Sequence, residues 1–164
     1  MLLLVLLSLT ACQGQEKKKD NKNTAKTESP AKGGFPVTKS DAEWKTQLTQ
    51  QQYNVLRNKD TDRPYTGQYD NFFEKGMYVC AACGNPLFTS DAKFDSHCGW
   101  PSFDQAIKGS VVFETDRSFG MDRTEAMCAK CGGHLGHVFD DGPKATTGER
   151  FCTNSTSIKF IPAK

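Results

Sequence analysis

The chain is 164 residues long, 37% apolar and 24% charged, with a formal net charge of +2. That length suits one domain and requires no second. The first 40 residues carry 7 basic and 3 acidic side chains and the rest carry 14 and 16, which leaves +4 on the leading segment and −2 on the remainder. A domain without a basic excess is not built to bind nucleic acid.

The first element, MLLLVLLSLTAC, is an apolar run that ends in small residues before Cys12. It is too short to span a bilayer and reads as a secretory signal over residues 1–11. Leu9-Thr10-Ala11-Cys12 resembles the lipobox of bacterial lipoproteins, in which the cysteine is lipidated and becomes the mature N-terminus. No Lys or Arg precedes the run, a departure that points to a start codon upstream. A chance apolar N-terminus with an ordinary free cysteine is the alternative. Residues 12–40 follow as a lipidated cysteine and a disordered tether, too poor in large apolar side chains to offset the entropy of ordering. Solvation is the expected role of the tether lysines, with contact to anionic lipid as the alternative.

The domain is expected over residues 41–164. Ser40 and Glu43 have the spacing of a capping box, so a helix starts there. Trp44, Leu48, Tyr53 and Leu56 continue as an apolar helical stripe that reads as core. After Pro64 the runs MYVC, PLFTS, KFDS, SVVFETD and SIKFIP are aromatic and β-branched and are separated by turn residues. They predict a mainly β domain of antiparallel strands with N-terminal helices.

Cysteine spacing carries the strongest chemical signal. Cys80-Ala-Ala-Cys83-Gly and Cys128-Ala-Lys-Cys131-Gly share the form of a metal knuckle, in which glycine permits the tight turn. Together they predict a closed site of four thiolates for one structural Zn2+, tying distant parts of the domain together. Two alternatives stand beside it. Each pair could be a redox Cys-x-x-Cys, although the surroundings lack a βαβ pattern. CAKCGGHLGH could hold a metal by itself through Cys128, Cys131, His134 and His137, but that squeezes four ligands into ten residues and leaves Cys80 and Cys83 idle.

If the metal takes four cysteines, His134 and His137 are free to act as proton donors near neutral pH. Cys152 follows Arg150 by two residues, a neighbourhood that favours a thiolate nucleophile, with a buried structural thiol as the alternative. With Phe151 inward, strand alternation places Arg150, Cys152 and Asn154 on one face.

The motifs RPYTGQY (63–69), CAACGNPLF (80–88), KFDSHCGWPSF (93–103), CAKCGGHLGHVFDDGP (128–143) and GERFCTNSTSIKF (148–160) appear in one order along the domain. In that order they resemble methionine sulfoxide reductase B, which reduces the R epimer of methionine sulfoxide. The departure is His97, where members of the family commonly carry glycine. The resemblance implies Cys152 as catalytic nucleophile and Cys98 as resolving cysteine. It implies Cys80, Cys83, Cys128 and Cys131 as structural zinc ligands. Trp100, His134, His137 and Asn154, with Arg150 beside them, match active-site residues, Trp100 offering an apolar face to the substrate S-methyl group. It further implies two antiparallel sheets around the site, no organic cofactor and a thioredoxin-like dithiol as reductant.

On this reading the protein is an exported, lipid-anchored reductase of the bacterial cell envelope, facing the periplasm and acting as a monomer on oxidised proteins or small sulfoxides. Cytosolic thioredoxin does not reach such an enzyme, so a membrane-relayed or periplasmic donor is expected. The competing functions are a zinc-stabilised binding module, which needs neither Cys98 nor Cys152, and a general thiol–disulfide oxidoreductase.

Overall fold

The computed structural model describes residues 34–164. The expected signal segment, Cys12 and the tether up to residue 33 lie outside the described residues. None of the described helices is long and apolar enough to cross a membrane.

Two short helices lead the domain. Helix α1 (Asp41–Gln47) has the expected capping box between Ser40 and Glu43. Leu48 leaves helical geometry, and Thr49 and Gln52 form a second capping box that starts α2 (Gln50–Asn58). The stripe read from the sequence is therefore core, but it crosses a break. Trp44, Leu48, Tyr53 and Leu56 are all buried. Contact with the domain also begins earlier than residue 41. Val37 N–H donates to Lys130 O at 2.8 Å, and a Cβ added at Gly132 would collide with the Phe35 ring. Phe35 and Val37 are isolated apolar residues in a polar segment, which composition averages hide.

Among the described residues nine strands follow: β1 (Gly76–Cys80), β2 (Pro86–Thr89), β3 (Lys93–Phe94), β4 (Ser102–Phe103), β5 (Val111–Asp116), β6 (Arg123–Cys128), β7 (His134–Phe139), β8 (Arg150–Thr153) and β9 (Ile158–Pro162). They form a three-stranded sheet in the order β2-β1-β9 and a six-stranded sheet in the order β3-β4-β8-β7-β6-β5. Every pairing is antiparallel. The domain is mainly β with two antiparallel sheets, as the sequence predicts. HLGHVF, absent from the strand runs read in the sequence, forms strand β7 near the middle of the larger sheet.

An aromatic core joins the sheets. Phe88 of β2 stacks on Phe103 of β4 at 4.2 Å between centroids, with Tyr78 and Phe151 packed edge-on against this pair. Offset and edge-to-face contacts of this kind contribute about 0.5–1.5 kcal/mol each beyond area burial. Phe103 and Phe151 come from β4 and β8, and their neighbours Ser102 and Cys152 point the opposite way. The core thereby fixes which face of the larger sheet carries the thiol.

Candidate active site

The two knuckles have the same backbone. In each, the first cysteine donates its N–H to the carbonyl five residues on (Cys80 to Asn85, 2.8 Å; Cys128 to Gly133, 2.9 Å). In each, the glycine after the second cysteine donates back to the first (Gly84 to Cys80 and Gly132 to Cys128, both 2.8 Å). Gly84 and Gly132 sit at φ 71° and 68°, the left-handed region that a side chain resists.

The four sulfurs of Cys80, Cys83, Cys128 and Cys131 lie within 4.8 Å of one another, with Cys80–Cys131 at 3.7 Å and Cys83–Cys128 at 3.6 Å. A tetrahedron with metal–sulfur bonds of about 2.3 Å has edges of about 3.8 Å, so the donor set fits such an ion. Crowding by the neighbouring thiols drives the Cys80 thiol upward and Cys128 downward. Four sulfurs this close cannot all ionise without a cation among them. Because Cys80 ends β1 and Cys128 ends β6, the cluster ties the two sheets together.

The second sulfur pair lies on the larger sheet. Cys152 of β8 is the direct cross-strand partner of Ser102 on β4 and of His137 on β7. Cys98, in the loop before β4, brings its sulfur to 3.7 Å from that of Cys152. Ser96 Oγ donates to Cys98 Sγ at 3.0 Å, Ser102 Oγ lies 3.5 Å from it, and the two hydroxyls are 2.6 Å apart. Two thiols this close hold one charge between them. The Cys152 hydrogen bond, then the Ser102 and Ser96 hydroxyls, lower the Cys98 thiol to about 4. The same bond and burial push Cys152 up, while the Arg150 charge pulls it down. Cys98 is therefore the more acidic of the two thiols.

Arg150 stands two residues before Cys152, and its guanidinium is held twice by Asp141, Nε to Oδ1 at 2.7 Å and Nη2 to Oδ2 at 2.9 Å. It also stacks over the Phe139 ring. Asn154 lies just past β8, outside strand alternation, because the chain turns into a 3₁₀ turn at Ser155–Ser157. Its amide accepts from Asp62 N–H at 2.9 Å and donates to Leu135 O at 3.2 Å. Trp100 is half-buried, and its indole N–H donates to Asp62 O at 2.9 Å. Asp62 thus links Trp100 to Asn154, and its carboxylate is in turn fixed by Thr156 N–H and hydroxyl.

The two histidines have rings 5.5 Å apart and lean on different carboxylates. His137 Nε2–H donates to Asp116 Oδ2 at 2.8 Å. The Ser118 N–H, with His137 and Arg123, holds the Asp116 carboxyl well below the usual range. Burial moves His137 down in spite of that partner. His134 is buried and donates Nδ1–H to Glu125 Oε1 at 2.7 Å. The glycine between the histidines permits this layout. A Cβ at Gly136 would lie 2.0 Å from the Cys152 carbonyl oxygen, so β7 approaches β8 closely only because that position is bare.

His97 falls on the rim, exposed and at φ 56°, with Asp95 accepting its N–H at 2.9 Å. A left-handed backbone at this point is the physical reason a glycine suits it. Sequence reading brought together Cys98, Cys152, Trp100, Arg150 and the histidines, and they do meet in one region. It missed Ser96, Ser102, Asp62, Asp116, Glu125 and Asp141. Two of these lie inside the quoted motif KFDSHCGWPSF, where a serine on either side of a cysteine was the available signal.

Chemically, the region offers two thiols in contact, two carboxylate-backed imidazoles and an indole face. Residues 48–162 match the SelR domain family. A peptide methionine sulfoxide reductase MsrB of Agrobacterium fabrum is 57% identical over 127 residues, covering 77% of this chain and 93% of that protein. One of Leptospira interrogans is 55% identical over 127 residues, covering 77% and 96%. One of Methanosarcina barkeri is 54% identical over 125 residues, covering 76% and 87%.

Proposed function

Since this chain belongs to the MsrB family of peptide methionine sulfoxide reductases, we propose that it reduces the R epimer through a sulfenic acid on Cys152 and a Cys152–Cys98 disulfide. The observation that carries this reading is the 3.7 Å contact between two free thiols beside His137.

The Cys152 proton passes to the Cys98 thiolate as Cys152 attacks the sulfoxide sulfur, and the oxygen takes up a proton from a histidine. Methionine leaves, and the oxygen stays on Cys152 as sulfenic acid. The Cys98 thiol then displaces it as water and forms the disulfide, which removes the sulfenic acid before further oxidation. Trp100 receives the S-methyl group. Arg150, anchored by Asp141, sets the field at Cys152, and Asn154 holds the Asp62 backbone to which the Trp100 indole N–H donates. The four-cysteine site takes structural Zn2+, one per chain, which supplies cross-linking rather than redox chemistry. An external dithiol, thioredoxin-like, reduces the disulfide. The reading extends to an exported, lipid-anchored monomer of the cell envelope, supported by the apolar residues 1–11 and by Cys12, acting on oxidised proteins or small sulfoxides. A membrane-relayed or periplasmic donor then supplies the electrons.

The test presents each sulfoxide epimer of a methionine derivative with dithiothreitol and follows methionine formed. Turnover of the R form alone, abolished in Cys152→Ser, is expected. Cys98→Ser should still turn over with dithiothreitol and fail with a thioredoxin-like donor. Metal-loaded protein inactive on both epimers sinks the reading.

A further inference from the structure

Resting on that reading, we propose that Glu125 is a positioning residue for the reduction: it fixes the His134 ring so that Nε2 is the atom offered to the sulfoxide oxygen. Glu125 lies within β6 with 2% of its surface exposed. A carboxylate there is costly unless each oxygen finds a partner. Oε2 accepts from Lys59 Nζ at 2.7 Å, which alone would make a structural ion pair. Oε1 instead receives His134 Nδ1–H at 2.7 Å. Burial pushes the Glu125 carboxyl up, but the hydrogen bonds from His134 and Lys59 outweigh it and leave the group ionised.

That bond sets the tautomer and leaves one nitrogen over. His134 Nε2 is fully buried and has no hydrogen-bond partner. A histidine kept only for packing normally has both nitrogens satisfied. The open nitrogen belongs to a ring that touches the ring of His137, the cross-strand neighbour of Cys152. An incoming sulfoxide oxygen supplies the missing partner. With Nδ1–H committed to Glu125, Nε2–H of the protonated ring is the donor left to meet that oxygen. The two histidines are thereby unequal, because Asp116 already occupies Nε2 of His137.

The charged and titratable groups around His134 come from five elements. Lys59 follows α2, Glu114 and Asp116 lie on β5, Glu125 and Arg123 on β6, His137 on β7 and Cys152 on β8. Loss of the Glu125 charge removes the nearest anion from the ring. Loss of Lys59 removes a cation from the same carboxylate and acts in the opposite direction.

The experiment measures kcat/KM against pH, with methionine (R)-sulfoxide and dithiothreitol, for metal-loaded wild type, Glu125→Gln and Lys59→Met. Glu125→Gln should lower kcat/KM by about ten- to a hundredfold, part of what a placed proton donor contributes. Its alkaline limb should move to lower pH and that of Lys59→Met to higher pH. A limb unmoved in Glu125→Gln, or moved the same way in both variants, overturns the proposal. Histidine-ring nitrogen spectra of the wild type give a second measure that needs no variant to fold. They should show His134 protonated at Nδ1, and a bare Nδ1 overturns the proposal. Wild type without activity on either epimer sinks the reductase reading itself, a different result from an active enzyme whose limb does not move.

Discussion

Cys98 and Cys152 differ in position by a few ångströms and in chemistry by their neighbours. Two serine hydroxyls face Cys98, whereas Cys152 has burial on one side and an arginine already held by Asp141 on the other. A thiol lowered to about 4 in the folded state stabilises that state at pH values above it. The contribution is complete above the ordinary thiol range near ~8.5 and is lost as pH falls through about 4. Alkylation of the reduced protein should therefore mark Cys98 at mildly acidic pH. In Cys152→Ala, which removes the largest cause, the midpoint of that alkylation should move upward, as read by mass spectrometry across pH. A sequence shows which residues carry sulfur but not which of two sulfurs keeps the proton. The arginine two positions from Cys152 suggested a thiolate there; the sequence does not show that Cys98, 54 positions away along the chain, comes into contact with it, and that contact lowers the Cys98 thiol most. The knuckles were legible in full because their spacing is local. Glu125 was not, since an acidic residue within RTEAMC reads as solvated surface until burial shows otherwise.

At the scale of elements, β7 and β8 carry the site. Their register sets His137 opposite Cys152, and their approach depends on Gly136, whose φ is 149°. Gly136→Ala would drive a methyl group into the Cys152 carbonyl oxygen. The strands would have to separate, and a loss of about 3 kcal/mol or more is expected, typical of strain at a special backbone position. Urea unfolding measures that loss. Residual activity per folded molecule should fall as well, because the same movement displaces His137 from Cys152. The strand was missed in the sequence because His-Leu-Gly-His lacks β-branched residues and alternation, and the glycine that reads as a loop signal serves a close approach. The helices were easier: Ser40 and Glu43 announced α1, while the capping box at Thr49 and Gln52 that splits the stripe lay in a run of glutamines with little contrast.

At the scale of the whole molecule, the sheets share an aromatic core and one sulfur cluster. Each knuckle ends a strand of a different sheet, so an ion there joins both ends of the core. Structural zinc binding is worth about 10–16 kcal/mol in small peptides, comparable with or above the roughly 5–15 kcal/mol that holds a whole domain folded. Stripping the metal with a strong chelator should therefore unfold the domain, with loss of near-ultraviolet circular dichroism. A chelated protein that stays folded and loses only turnover would place the metal in the chemistry instead.

The sulfur spacings have a consequence for how the molecule is made. Cys80–Cys131, Cys83–Cys128 and Cys98–Cys152 are separated by 3.7, 3.6 and 3.7 Å. Distance does not distinguish the pair proposed to oxidise from the pairs proposed to hold metal. Only an ion bound to four of the six sulfurs makes them poor partners for an oxidant. In a compartment that favours disulfides, the order of arrival then decides the fate of each new chain. Metal first leaves one oxidisable pair; oxidant first can lock the knuckles shut as disulfides, and no later supply of zinc undoes that without a reductant.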